Sequence, residues 1–207
     1  MLKYYKKLQW IKRPTILLVL LIFASNEVLS QTAYTDFAHK SLYTQNIGMY
    51  TLGGWAIANI ATGAYGWATF SNDKQYFSQM NLMWNVVNLS IAGFALYNNS
   101  QLDFLNMTTD ELLSNHLKTE KVLLINSALD VGYIGTGFLL RYLSKSANKY
   151  PDLLRGYGNS LILQGGFLLV FDLVLYQVLK TQRLDMLNNI SLYASHDYIG
   201  MRFIIGL

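Results

Sequence analysis

The chain contains no cysteine, only two prolines, and charged residues at just 14% of its 207 positions. Without cysteine it has no disulfide, no thiolate metal site, no thiol nucleophile and no cysteine-borne lipid anchor. So few charges beside 52% hydrophobic residues point away from a disordered chain and toward a membrane protein. The basic excess is local. The formal charge of +4 comes from the first 30 residues, where Lys3, Lys6, Lys7, Lys12 and Arg13 face a single acid, Glu27. The remainder is formally neutral, with no basic patch for nucleic acid.

The same N-terminal stretch has an order of its own: five cations, then "TILLVLLIFA" (15–24), then a short polar stretch ending "EVLSQ". An apolar run of about ten residues is short for a span and suits the core of a signal peptide. Val28 and Ser30 meet the small-residue requirement before a cut, so residues 1–30 are expected to be a signal peptide cleaved between Ser30 and Gln31. An uncleaved first anchor is the alternative. Residues 31–46 then form a short periplasmic segment.

Four apolar stretches follow, at about 47–69, 80–97, 122–143 and 158–179. Each approaches the ~20 residues that cross a bilayer as a helix. The expected fold is therefore an all-α membrane protein, a four-transmembrane-helix bundle over 47–179 preceded by a cleaved signal peptide. Glycines such as Gly63, Gly66, Gly132, Gly165 and Gly166 suit close helix packing. Trp67, Phe70, Tyr76 and Phe77 mark one interface, and Tyr50, Tyr97 and Tyr176 the other. A cleaved signal puts the mature N-terminus in the periplasm of a multi-pass bacterial inner-membrane protein. Loops 71–79 and 144–157 then face the cytoplasm. The cations Arg141, Lys145, Lys149 and Arg155 against Asp152 agree, while loop 98–121 carries Asp103, Asp110, Glu111 and Glu120 against Lys118 and Lys121.

Two outer features are legible. Thr108 followed three residues later by Glu111 is a capping box, so the third helix should begin near 109 and project beyond the lipid. The periplasmic tail, 180–207, ends in "ISLYASHDYIGMRFIIGL", whose alternation and β-formers suggest a short hairpin.

The informative residues are polar ones inside the spans. At 100° per residue, Asn81, Asn85 and Asn88 fall within about a 60° arc of one helix, and that face cannot look at lipid. Asn59 on the first span, Asn126 and Asp130 on the third, and Gln164 and Asp172 on the fourth complete an intramembrane polar seam. Asp130 and Asp172 are the only acids in any span, each roughly 4–5 Å outward of the midplane at ~1.5 Å per residue. An intramembrane carboxylate is expensive unless paired, protonated or hydrated.

Three readings stay open: structural glue between helices; a cation or proton site in a small carrier or channel; or a surface for a lipid, quinone or partner protein. Gly-rich faces also allow a homo-oligomer. His39, His116 and His196 fall outside the spans, so no bilayer haem or imidazole metal site is indicated, and His116 reads as a solvated residue one turn from Glu120. No nucleophile elbow and no phosphate-binding glycine loop is present. The residues name no catalytic group, no metal ligand set and no cofactor.

Three stretches carry a resemblance: "YFSQMNLMWNVVNLSIAG" (76–93), "NSALDVGYIGTG" (126–137) and "QGGFLLVFD" (164–172). They resemble an uncharacterised family of four-helix bacterial membrane proteins, found chiefly in the Bacteroidota, with the likeness running from about 45 to 180. The resemblance implies a fold and a location. It implies that Asn81, Asn85, Asn88, Asp130 and Asp172 belong to the family pattern, and it gives them no role.

Overall fold

The computed structural model describes the backbone of residues 2–102 and 107–196, and side chains over 34–102 and 107–188. Among the described residues the secondary structure is entirely helical: α1 Leu2–Thr69, α2 Asn72–Ser100, α3 Thr109–Leu143 and α4 Pro151–His196. The chain divides into two compact units, Lys40–Thr181 and the pair of outer segments Met1–His39 with Gln182–Leu207. The first unit holds the four-helix bundle. In the second, Phe37, Ala38 and Met186 are buried.

Helix boundaries follow local chemistry. Thr108 caps α3 as a complete box: its hydroxyl accepts from the Glu111 N–H, and its own N–H donates to Glu111 Oε2 at 2.9 Å. The helix starts at Thr109, as the spacing predicts. The α1–α2 connection is two residues, Phe70 and Ser71, and Asn72 turns it with φ 59°. Tyr150 takes φ 58° immediately before Pro151, which opens α4 at the position where its missing N–H is least costly.

The Thr108 backbone N–H, and after it the Thr108 hydroxyl, hold the Glu111 carboxyl below the ordinary carboxylate range. A carboxylate whose folded value is depressed adds stability that is present above its unfolded value and lost as pH falls through the folded one. Amide protection over Asp110–Leu112, taken relative to intrinsic exchange at each pH, should therefore fall on acidification through that range. Glu111→Gln should abolish the pH dependence; an unchanged profile in that variant would show that the box does not control the end of α3.

The helices run up and down. Gly63 and Gly66 of α1 meet Ser78 and Leu82 of α2, while Gly53 meets Ala92, so these two are antiparallel. Gly137 of α3 meets Gly158 of α4, and Gly165 meets Asp130 and Ile134, again antiparallel. A Cβ on Gly137 would stand 2.7 Å from the Gly158 carbonyl oxygen, and one on Gly158 would stand 2.6 Å from that of Gly137. The two backbones touch there because neither residue has a side chain.

What the bundle buries is unusual. Among the described residues fourteen buried positions are polar or charged and eleven are hydrophobic. The buried stripe of α2 is Ser78, Asn81, Asn85, Asn88 and Ala92. Among the described residues one apolar cluster joins Leu123, Leu175 and Leu179, packed by Met49, Phe171 and Tyr176. The large apolar side chains point outward instead, among them Val87, Phe94, Leu129, Val131, Phe138 and Val174, each more than half exposed.

Among the described residues two helices are long and apolar enough to cross a membrane by length and composition, α3 over Thr109–Leu143 and α4 over Pro151–Asn188. Only 22% and 28% of their most apolar windows are buried, unlike the core helix of a water-soluble fold. The expected four helices are present; among the described residues, α2 and the part of α1 from residue 34 on do not pass this test. In α2 the reason is visible: its buried stripe is carboxamide-rich. At the C-terminus, α4 continues through His196, so 190–196 are helix where half of the hairpin was expected; residues 197–207 lie outside the described residues. The backbone of segment 2–30, expected to be a signal peptide, is the first part of α1, and its side chains lie outside the described residues.

Candidate functional site

The carboxamides of α2 meet α1 and α4 in a closed ring of hydrogen bonds. Trp55 Nε1 donates to Gln164 Oε1 at 3.0 Å, and Gln164 Nε2 donates to Asn81 Oδ1. Asn81 Nδ2 donates to Asn59 Oδ1 at 3.0 Å, and Asn59 Nδ2 returns to the Trp55 carbonyl at 2.8 Å. Three helices are thereby tied at one level, with Asn81 as the hub. Asn85 extends the chain by donating to the Asn81 carbonyl at 2.8 Å, and Asn88 donates to Asn85 Oδ1 at 3.4 Å. Gln164 and Asn85 are fully buried and Asn81 nearly so. Amides so placed must bond each other, since no solvent reaches them.

The ring borders a mixed vestibule, whose lining includes Phe70 and Phe77. A pocket of about 360 Å³ lies beside Asn81, with Thr62, Gly63, Ser78 and Asn159 in its lining. Trp55 stacks on Phe167 with ring centroids 3.9 Å apart, which fixes the indole that donates to Gln164.

Asp130 and Asp172 form a second group, on α3 and α4. Both are buried, on neighbouring helices. Asp130 Oδ2 receives no hydrogen bond from any described donor. A buried carboxyl oxygen of this kind needs a proton or a counter-charge, and a bound cation would supply the latter. Seven of the eight seam residues are therefore buried. Asn126 is the exception: it is half-buried, and Ser127 takes the inward position.

A third cluster surrounds His116. His116, expected to be solvated, is 1% exposed. Its Nε2 lies 2.9 Å from the Leu179 carbonyl and 3.2 Å from Glu120 Oε1; because a carbonyl only accepts, Nε2 carries the hydrogen. Its Nδ1 lies 2.7 Å from Ser41 Oγ, which accepts from Gln45 Nε2 at 3.1 Å. The order Ser41, His116, Glu120 superficially matches a nucleophile, base and orienting acid. Ser41 is 2% exposed, however, so no substrate reaches its hydroxyl in this arrangement. The cluster instead joins α1, α3 and α4. The signal that could have found it is the buried stripe of α3, since Leu112, His116, Glu120, Leu123, Ser127 and Asp130 continue one another in steps of three and four.

Among the described residues no group of three or more His, Cys, Asp and Glu stands close enough to hold a metal ion. No curated protein and no solved structure matches the chain. A family model does, over residues 51–173, a stretch that contains all eight residues of the expected seam. The chain belongs to the Family of unknown function (DUF6992).

Proposed function

We propose that this is an integral protein of the bacterial inner membrane, with four spans, a cleaved signal and both mature termini in the periplasm, acting as a structural or small-ligand-binding module. One observation carries the reading: the burial pattern is inverted, with carboxamides and carboxylates inside and the large aliphatic residues outside. In water such a surface is an aggregation hazard. In lipid it is the solvated face, and the interior amides bond one another because lipid offers them nothing. The lipid bilayer is then the first partner.

The absence of native cysteine makes the topology directly testable. Single cysteines at the exposed positions Ser114 and Ser146 should label differently with an impermeant maleimide. Position 114 should react in intact spheroplasts and position 146 only after lysis. The reverse pattern would overturn the orientation, and equal labelling of both would remove the membrane-spanning reading.

A second reading rests on Asp130 and Asp172: a small ion or proton carrier that uses this buried pair. The unpartnered Asp130 Oδ2 supports it. If the pair is only glue, Asp130→Asn and Asp172→Asn should each melt within about 1 kcal/mol of wild type, since a carboxamide still bonds the remaining carboxyl. If it is a site, a cation or a pH change should shift the melting temperature of wild type and of neither variant.

A further inference from the structure

We infer that the pocket at the α3–α4 turn is a binding site for the phosphodiester headgroup of an anionic phospholipid. The inference rests on the membrane reading above and deepens it by naming a ligand class. The pocket has a volume of about 470 Å³ and an amphipathic lining. Phe138 and Tyr142 form its apolar wall, one turn apart on α3 and 56% and 70% exposed. Phe138 continues the outward apolar face of Val131 and Leu139, so an acyl chain lying on that face leads into the pocket.

Cations are interleaved with these aromatics on the same side of the pocket. Arg141 lies in the last turn of α3, Lys145 in the turn just beyond its C-cap Ser144, and Arg155 in the second turn of α4. The Arg141 stem is packed against Gly158, where a Cβ would lie 3.0 Å from its Cγ. Arg155 is held from one side by Asp73 of α2, Nε to Oδ2 at 3.6 Å. Asp152 is the one acid in the lining. Three cations thus face two carboxylates, and the remaining positive charge matches one phosphodiester. A headgroup bearing two phosphates would be left partly unpaired. Pro151 brings the positive end of the α4 dipole to the pocket and Ser144 the negative end of α3, so the two offset and the side-chain cations set the field.

Such a site suits the leaflet where the turn emerges, because basic pockets between helices at a membrane face bind anionic headgroups. A soluble phosphate ester offers the same charge without the chain, and the apolar wall argues for the lipid. The full chain in neutral detergent should bind phosphatidylglycerol roughly tenfold or more tightly than phosphatidylcholine, as read by native mass spectrometry. Glycerol phosphate at the same concentration should bind no better than phosphatidylcholine. Arg141→Gln combined with Lys145→Gln should reduce phosphatidylglycerol to the phosphatidylcholine level. Asp152→Asn, which adds no bulk, should tighten phosphatidylglycerol severalfold, an effect opposite in sign to any loss of folding.

Equal binding of the two lipids by wild type, or a preference that survives the double variant, would overturn the inference. Glycerol phosphate binding as well as phosphatidylglycerol would overturn the lipid assignment and leave a small-anion site. Flotation with liposomes, run in parallel, separates the two levels. A chain that floats and shows no preference loses only the headgroup site; a chain that does not float loses the membrane reading itself.

Discussion

Asn81→Leu should destabilise the bundle by about 2–3 kcal/mol in a reversible unfolding titration in mixed micelles. The side chain accepts from Gln164 and donates to Asn59, so its loss strands a donor and an acceptor that no solvent reaches. A single interhelical hydrogen bond in lipid averages only ~0.6 kcal/mol; the larger figure reflects the two buried groups left unpaired. Asn88→Leu is the comparison. Its only described side-chain bond is the long one to Asn85 at 3.4 Å, and its cost should stay below about 1 kcal/mol. Pairing Asn81→Leu with Gln164→Leu should cost less than the sum of the single changes, because an apolar pair leaves fewer orphaned amides. Equal effects at positions 81 and 88, or strict additivity, would mean that the ring is not what joins the helices.

Gly137→Val should cost at least as much, about 3 kcal/mol or more, toward the upper end of overpacking effects. The new Cβ would meet the Gly158 carbonyl oxygen and Ile162 Cγ1, both at 2.7 Å. A crowded side chain can rotate away, whereas a backbone carbonyl moves only with its helix, so α3 and α4 must separate. That separation would also pull Asp130 from Asp172, seven and fourteen residues along. Gly132 and Gly135 lie on the same helix with nothing within 4 Å of an added Cβ. Alanine at either position should be neutral or slightly stabilising, since glycine is the poorer helix former. Destabilisation at Gly132 equal to that at Gly137 would indicate a neighbour on the outer face of α3, such as a second copy of the chain.

Much of this architecture is legible in the residues, and the failures have physical causes. Four helices follow from four apolar runs, and the start of α3 follows from the Thr108–Glu111 box. The inward face of α2 follows from three asparagines that lipid would not tolerate. Asn126 reads as inward because it lies four residues before Asp130, close to it at 100° per residue. The bundle steps by threes and fours instead, through Leu123, Ser127, Asp130 and Gly137. This is a 3.5-residue seam, which drifts from the ideal helical period along a long helix.

His116 was missed for a different reason. Its surroundings in sequence are polar, and what buries it comes from far along the chain: Ser41 on α1 and the Leu179 carbonyl on α4. Local pattern cannot show a partner 75 or 63 residues away. The ring itself was half visible. The asparagines announced that partners existed, but that Gln164 would bond Asn81, and that Trp55 would bond Gln164, depended on how α1 and α4 pack.

The inverted burial pattern is best tested by asking which residues meet lipid. A lipid-soluble carbene precursor, photolysed in native membranes containing the full chain, labels side chains in contact with acyl chains. An inside-out bundle predicts adducts on Val87, Leu129, Val131, Phe138 and Val174, and none on Asn81, Asn85 or Gln164. Adducts on the seam, or a chain that alkaline carbonate strips from the membrane with its aliphatic face unlabelled, would contradict it.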